Sequence, residues 1–321
     1  MIREKIRRQL AEVLQHVCWL NALYTKWKWR ERRISYGEEN PDKTFFVIRR
    51  ANCKAGLFSL VMTNMAMVKY ALDKGYIPVI DMQTEKNTYL DEEQVGKRNA
   101  WEFYFEQPCG YTLKDIARSK KIILGCGLIR ENMDFPGDGI THNPDEYQKW
   151  RKVFEQYFIV KKDIREDAEI LKEKLFQGER ILGVLCRGTD YVNTRPKDHP
   201  VQPSIDQMID KVRSVMKEQE CTCIYLTTED ADIYRRFQEE FGESVKTLEL
   251  SRYSNTGKEN INDIAVRKGG NRYKMGRQYL ISILLLAWCN CLVAGSAGGT
   301  YGALLMESRY EYQYIFDLGT Y

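Results

Sequence analysis

FFVIRRANCKAGLFSLVMTNMAMVKYALDKGYIPVID, residues 45–81, holds a strand, a glycine turn, a helix and a second strand in that order. Phe45-Phe46-Val47-Ile48 is short, apolar and rich in aromatic and β-branched residues, as a buried strand requires. Ala55-Gly56-Leu57 opens a helix from about Phe58 to Lys74, Gly75 stops it, and Ile77 to Asp81 extends again. Two strands joined by a helical crossover lie parallel. Further on, Ile122 to Cys126 reads as a strand, Pro144 to Phe158 as a helix, and Asp163 to Phe176 as a densely charged helical connector. The pattern then restarts. Strands are expected at Ile181–Cys186, Cys223–Thr227, Val245–Leu248, Cys291–Ala294 and Tyr314–Phe316, with helices at Ile205–Lys217, Ala231–Phe241 and Gln278–Cys289. A last helix follows the turn Gly295 to Thr300. Two such blocks predict two α/β domains facing a central cleft, residues 1–165 and 166–321, with ligands at the carboxyl ends of the strands.

The whole chain sets outer bounds. Its 321 residues suit two cores, and 43% apolar with 29% charged residues is an ordinary globular balance. The net charge of +4 is uneven: residues 1–33 carry nine Lys and Arg against three Glu, +6, leaving −2 on the rest. That is no nucleic-acid footprint. Ile2, Ile6, Leu10, Val13, Val17 and Leu20 recur at three and four residues, an amphipathic helix. A helix packed on its own domain is the favoured reading, with peripheral membrane contact through residues 1–33 as the alternative. Nine cysteines include two C-x-C pairs, Cys221/Cys223 and Cys289/Cys291, in or beside apolar runs. With three histidines in all, reduced thiols are expected rather than a metal or disulfide framework. The charged opening residues hold no secretory signal, and the apolar run from Leu280 to Val293 is too short to span a bilayer. A cytoplasmic protein is expected.

Strand 181–186 runs straight into Arg187-Gly188-Thr189-Asp190-Tyr191. An arginine leaving a buried strand end can fork onto phosphate oxygens, or pair internally with Asp190 to hold a turn. His199 before Pro200 reads as a catalytic base or as a loop-ordering group. Gly295-Ser296-Ala297-Gly298-Gly299-Thr300 opens a helix, so its N–H groups and two hydroxyls can receive phosphate or ribose, or form an ordinary turn. Asn99 to Phe105 is aromatic enough to stack on sugar, though a core segment is favoured. Residues 254–274 are polar and glycine-punctuated, as a flap would be.

Leu185 to Asp190 resembles the H-x-R-R-x-D loop of the α-1,2-, α-1,6- and protein O-fucosyltransferase superfamily. His199-Pro200 follows at the spacing of the His-Pro pair in the α-1,6 members. Ile224 to Asp230 looks like their strand ending in Thr-Asp-Asp. Leu280 to Val293 with Gly295-Ser296 resembles the helix, strand and Ser/Thr-rich turn of the third motif. The resemblance covers residues 180–305 in register, and the N-terminal half agrees through Ala55-Gly56-Leu57. It implies a GT-B fold of two Rossmann-like domains, the N-terminal on the acceptor side and the C-terminal holding the donor. It also implies inverting, metal-independent transfer from a nucleotide sugar, with GDP-fucose expected and no cofactor. The acceptor would be a carbohydrate in cell-surface polysaccharide or glycan synthesis. Arg187, matching the family's indispensable arginine, Asp190 and His199 become the catalytic candidates. Gly56, Arg187, Gly188, Thr228, Glu229, Asp230, Ser282, Gly295, Ser296, Gly298, Gly299 and Thr300 become the donor-binding ones. Gly188 replaces the second arginine, and Leu185 and Ser282 replace a histidine and an aspartate that contact guanine in relatives. A different donor base is therefore one alternative. Arg195 stands where the α-1,6 members carry a glutamate proposed as base, so that duty falls to Asp190, Asp198 or an N-terminal residue, or is dispensed with. A non-catalytic nucleotide- or glycan-binding protein is the other alternative.

Overall fold

The computed structural model describes residues 18–50, 55–127, 129, 133–137, 139–195, 197–254, 264, 270–306 and 309–321. In chain order these form α1 (Cys18–Lys28), β1 (Arg32–Ile34), β2 (Glu39–Ile48), α2 (Leu57–Asp73), β3 (Ile77–Ile80), β4 (Ser119–Leu124), α3 (Gly139–His142), α4 (Pro144–Tyr157) and α5 (Lys162–Phe176). The second half holds β5 (Ile181–Leu185), α6 (Thr189–Thr194), α7 (Ile205–Glu218), β6 (Cys223–Thr227), α8 (Ala231–Phe241), β7 (Val245–Lys246), α9 (Arg272–Ala287), β8 (Cys291–Gly295), α10 (Gly298–Leu305) and β9 (Tyr312–Phe316).

Two sheets result. The first has the order β1-β4-β2-β3, parallel except for β1, which runs antiparallel to β4. The second, β7-β6-β5-β8-β9, is parallel throughout. The central strands β5, β6 and β8 are buried at every position. This explains why they read as continuous apolar runs rather than as alternations. One core cluster takes Phe46 and Ile48 from the first sheet and Leu185 and Leu292 from the second, and so runs through the helical layers between them. Phe45, Val47 and Ile122 line the far face of the first sheet, and Val184, Ile224 and Val293 that of the second.

The halves also meet through specific contacts. The Tyr104 hydroxyl donates to the Tyr273 carbonyl at 3.1 Å, Arg272 Nη1 to the Thr88 carbonyl at 3.1 Å, and the Tyr147 hydroxyl to the Leu304 carbonyl at 3.1 Å. Where α10 crosses α2, the Phe58 ring occupies the space a side chain at Gly302 would take, with Cζ 3.0 Å from an ideal Cβ. Trp101, Tyr104 and Phe105 are fully buried, so the aromatic segment 99–105 is core. Asn99 braces it by accepting from the Met82 and Trp101 amides.

Several elements differ from the sequence reading. β1 and α6 were not anticipated, β7 is two residues long, and α9 begins six residues before Gln278. Residues 1–17 and most of the expected flap at 254–274 lie outside the described residues. Among the described residues, no helix is long and apolar enough to cross a membrane.

Asn64 in α2 is wholly buried, and neither its Oδ1 nor its Nδ2 has a hydrogen-bond partner among the described residues. A buried unpaired amide costs about 1–3 kcal/mol. Asn64→Leu is therefore expected to raise the unfolding free energy by that order, read as a higher urea midpoint at an unchanged m-value, and a lowered midpoint would contradict this account of the position.

Candidate active site

The site grows from the carboxyl end of β5. Five buried apolar residues carry the chain to Cys186, whose amide donates to the Thr227 carbonyl at 3.2 Å and so holds β5 and β6 together past their ends. Arg187 and Glu229 therefore leave the sheet side by side. Arg187 Nε lies 3.2 Å from Glu229 Oε1, and the same carboxylate oxygen accepts from the Gly188 amide at 3.2 Å. The Nε approach is an ion pair and not a well-directed hydrogen bond. Both side chains are largely shielded, at 24% and 19% exposure, which strengthens the pair relative to a surface salt bridge. Tyr279 on α9 completes the cluster. Burial pushes its phenol up, while the positive charge of Arg187 beside it pulls the other way.

Gly188 has a steric reason. A Cβ there would stand 2.8 Å from both Cβ and Cγ of Asp230. Asp230 is fixed, because it caps α8 by accepting from the Asp232 and Ile233 amides at 2.8 and 3.0 Å. The Thr228 hydroxyl accepts from the Asp230 amide at 3.2 Å. Within Thr228-Glu229-Asp230, two side chains thus shape the loop and the middle one faces Arg187.

Opposite stands the first turn of α10. Ala297 at its N-cap offers no side-chain cap, so the N–H groups of the first turn have no side-chain acceptor from that position. The Gly-rich turn is close to its surroundings. A Cβ at Gly299 would meet Tyr279 Oη at 2.7 Å and Leu185 Cδ1 at 3.0 Å, and one at Gly298 would meet Phe58 Cβ at 3.4 Å. Gly295 lies against Gln202, whose Cδ would be 3.2 Å from its Cβ. Gln202 Nε2 donates to the Ser296 carbonyl at 2.8 Å and ties the loop after His199-Pro200 to this turn. The hydroxyls expected to meet a ligand point inward instead. Thr300 is fully buried and donates to the Gly295 carbonyl at 2.6 Å, and Ser296 pairs with the Tyr301 hydroxyl at 2.7 Å.

The remaining candidates fall as follows. Gly56 is the N-cap of α2, and a Cβ there would enter open space. Ser282 is fully buried within α9, donates to the Tyr279 carbonyl at 2.8 Å, and so sits beneath the site rather than in it. His199 is exposed, and its carbonyl accepts from the Tyr321 amide at 3.0 Å. Asp190 lies on α6, and its side chain is outside the described residues. Arg187, Gly188, Glu229 and Gly299 are brought together, with Tyr279 among them. Sequence reasoning missed Tyr279, a phenol at the polar start of an apolar helix, and Gln202. It also missed Arg50, two residues past β2. Arg50 is half-buried, burial pushes its guanidinium down to about 10, and among the described residues no hydrogen bond or ion pair engages it. Two adjacent arginines after an apolar strand were the available signal.

No family model matches the chain, and no curated protein matches it in sequence. Solved structures do. A NodZ alpha-1,6-fucosyltransferase soaked with GDP-fucose aligns over 86% of this chain and 96% of its own, with 18% identity and a TM-score of 0.51. The Se-Met fucosyltransferase NodZ from Bradyrhizobium aligns over 86% and 96%, with 17% identity and a TM-score of 0.49. POFUT1 in complex with GDP aligns over 86% and 99%, with 11% identity and a TM-score of 0.46. The first of these shows the fold: the chain has the GT-B architecture of the fucosyltransferases.

Proposed function

We propose that this chain is an inverting, metal-independent glycosyltransferase that moves fucose from GDP-fucose to a carbohydrate acceptor of a cell-surface glycan. The observation that carries the reading is Arg187, shielded at the end of β5, held by Glu229 and Tyr279 and standing beside the first turn of α10. Its setting is a fold shared with a NodZ alpha-1,6-fucosyltransferase soaked with GDP-fucose. Departure of a nucleoside diphosphate leaves negative charge on the β-phosphate. A preformed guanidinium and uncapped helix N–H groups are suited to stabilise that charge. Without donor, Glu229 serves as the counter-ion of Arg187. With donor, the diphosphate takes the fork of the guanidinium and Glu229 keeps the Gly188 amide. The acceptor hydroxyl gives its proton to a base, Asp190 or a group of the N-terminal half, as its oxygen attacks the anomeric carbon. Arg50, half-buried and paired with no carboxylate among the described residues, is our candidate to meet the acceptor. A reducing compartment such as the cytoplasm fits Cys109, Cys126, Cys186, Cys221, Cys223, Cys289 and Cys291, which are free thiols.

One observation favours a second reading in which the reaction stands and the base differs. Leu185 is buried beneath Gly299 and Ser282 is buried in α9, so neither side chain can read guanine. The test is turnover of the full chain with GDP-fucose and, in parallel, UDP-, dTDP- and CMP-sugars, each with a mixture of glycans. Acceptor-dependent release of GDP supports the proposal, and release of another nucleotide transfers it to that donor. No release with any of them leaves a binding protein.

A further inference from the structure

α1 has two unlike sides. Trp29, just past its end, is turned inward, with the cations of Lys28 and Arg49 over its ring at 4.9 and 5.4 Å. On the other side Leu23, Tyr24 and Trp27, at i, i+1 and i+4 on one face, are 57%, 40% and 53% exposed. Tyr36, just past β1, adds a fourth large apolar group at 52% exposure. These are four of the nine exposed large hydrophobic residues among those described, and all lie between positions 23 and 36. Singly exposed apolar residues need no explanation, but three on one helix face do.

The same segment is cationic. Lys26, Arg30, Arg32 and Arg33 are exposed, and among the described residues none of them pairs with a carboxylate. Arg30 instead lies over the Trp27 ring at 5.3 Å, and the Tyr24 and Trp27 rings are 6.2 Å apart. Lys28 is the exception, engaged with Glu85 at 2.9 Å. Amphipathic aromatics flanked by unpaired cations are the groups that gain most at the headgroup level of an anionic bilayer. There the rings leave water and the cations meet lipid phosphates. A nucleic acid would also attract the charges, but Leu23 has nothing to gain from it, and beyond residue 33 the chain carries a net −2.

We propose that α1 and β1 dock this chain on an anionic membrane surface, with Leu23, Tyr24, Trp27 and Tyr36 at headgroup depth and Lys26, Arg32 and Arg33 against lipid phosphates. The inference stands apart from the sugar-transfer reading. The amphipathic stretch Ile2 to Leu20 expected from the sequence lies almost entirely outside the described residues, and the proposal does not rest on it.

The test is co-sedimentation of the full chain with vesicles of phosphatidylcholine alone and with about 30% phosphatidylglycerol. At low salt the protein is expected to pellet with the anionic vesicles only, and to be released as salt is raised. The double variant Arg32→Gln/Arg33→Gln should weaken partitioning on the order of thirtyfold, since each cation near such a surface contributes about a factor of five. Trp27→Ser should weaken it on the order of tenfold. Thermal melts of both variants, monitored by circular dichroism, separate loss of docking from loss of fold. No pelleting of the wild-type chain, or equal pelleting of folded variants, overturns the proposal. So does a wild-type dimer that Trp27→Ser dissociates, or retention on single-stranded RNA in place of vesicles.

Discussion

Arg187→Ala is expected to lower transfer by about a hundredfold to a thousandfold, the loss that follows removal of one preorganised group from a developing anion. Arg187 is positioned before any ligand arrives. Its strand is buried, the link between Cys186 and Thr227 fixes where it leaves the sheet, and Glu229 and Tyr279 hold its guanidinium. None of these contacts has to form at the moment of reaction, so the cation acts at full effect when the phosphate departs. The substitution also leaves the Glu229 carboxylate shielded without its cation, which adds a stability loss of about 1–3 kcal/mol. The two effects separate experimentally. The folded fraction is read from a urea curve, and turnover is measured where the variant is fully folded. Arg187→Lys keeps the charge but not the fork, so it should restore stability more than activity. Unchanged turnover in folded Arg187→Ala would remove Arg187 from the chemistry.

Gly188→Arg is the second large effect, and it runs against what family consensus suggests. The motif that Leu185 to Asp190 resembles has a second arginine at this position, so consensus engineering would install one. The space is taken: a Cβ at 188 would stand 2.8 Å from two atoms of Asp230, a residue committed to capping α8. Either Asp230 moves and the cap is lost, at about 1 kcal/mol, or the Arg187 loop moves away from Glu229. Overpacking of this kind costs about 1–3 kcal/mol in total. A melting temperature several degrees lower is expected, with nucleotide binding lost because Arg187 is displaced. A second change, Asp230→Gly, should recover part of the stability, because it removes the colliding side chain and glycine is tolerated at an N-cap. If Gly188→Arg bound donor as well as the wild type, the proposed steric origin of the glycine would be wrong.

Both predictions turn on features that the sequence exposes unequally. The buried parallel strands were legible because each is an unbroken apolar run between turn residues, and Cys223–Thr227 and Ala231–Phe241 were placed to the residue. β1 was not, because Arg32-Arg33-Ile34 is a three-residue edge strand whose outward arginines carry no strand signal. The start of α9 was signalled and overlooked: Asn271 caps it by accepting from the Lys274 amide at 2.9 Å. In the site, Arg187 was legible from its position after a buried strand. Its partner was not, because Glu229 lies far along the chain and meets Arg187 only through the β5–β6 register, whereas Asp190 is near in sequence. The inward turn of Ser296 and Thr300 was equally hidden, since a hydroxyl in a glycine-rich turn suits a ligand and a neighbouring carbonyl alike. Periodicity reports which residues are buried, and not which atom a polar tip will find.

The most direct test of the central claim is a thermal-shift panel of GDP, UDP, dTDP, CMP and GDP-fucose on the wild-type chain and on Arg187→Ala. A ligand bound to the native state alone raises the melting temperature, and the rise grows with the logarithm of its concentration over Kd. A shift is expected with GDP and GDP-fucose for the wild-type chain, and little or none with Arg187→Ala. Silence from every nucleotide, or a GDP shift of the same size in the variant, would contradict it.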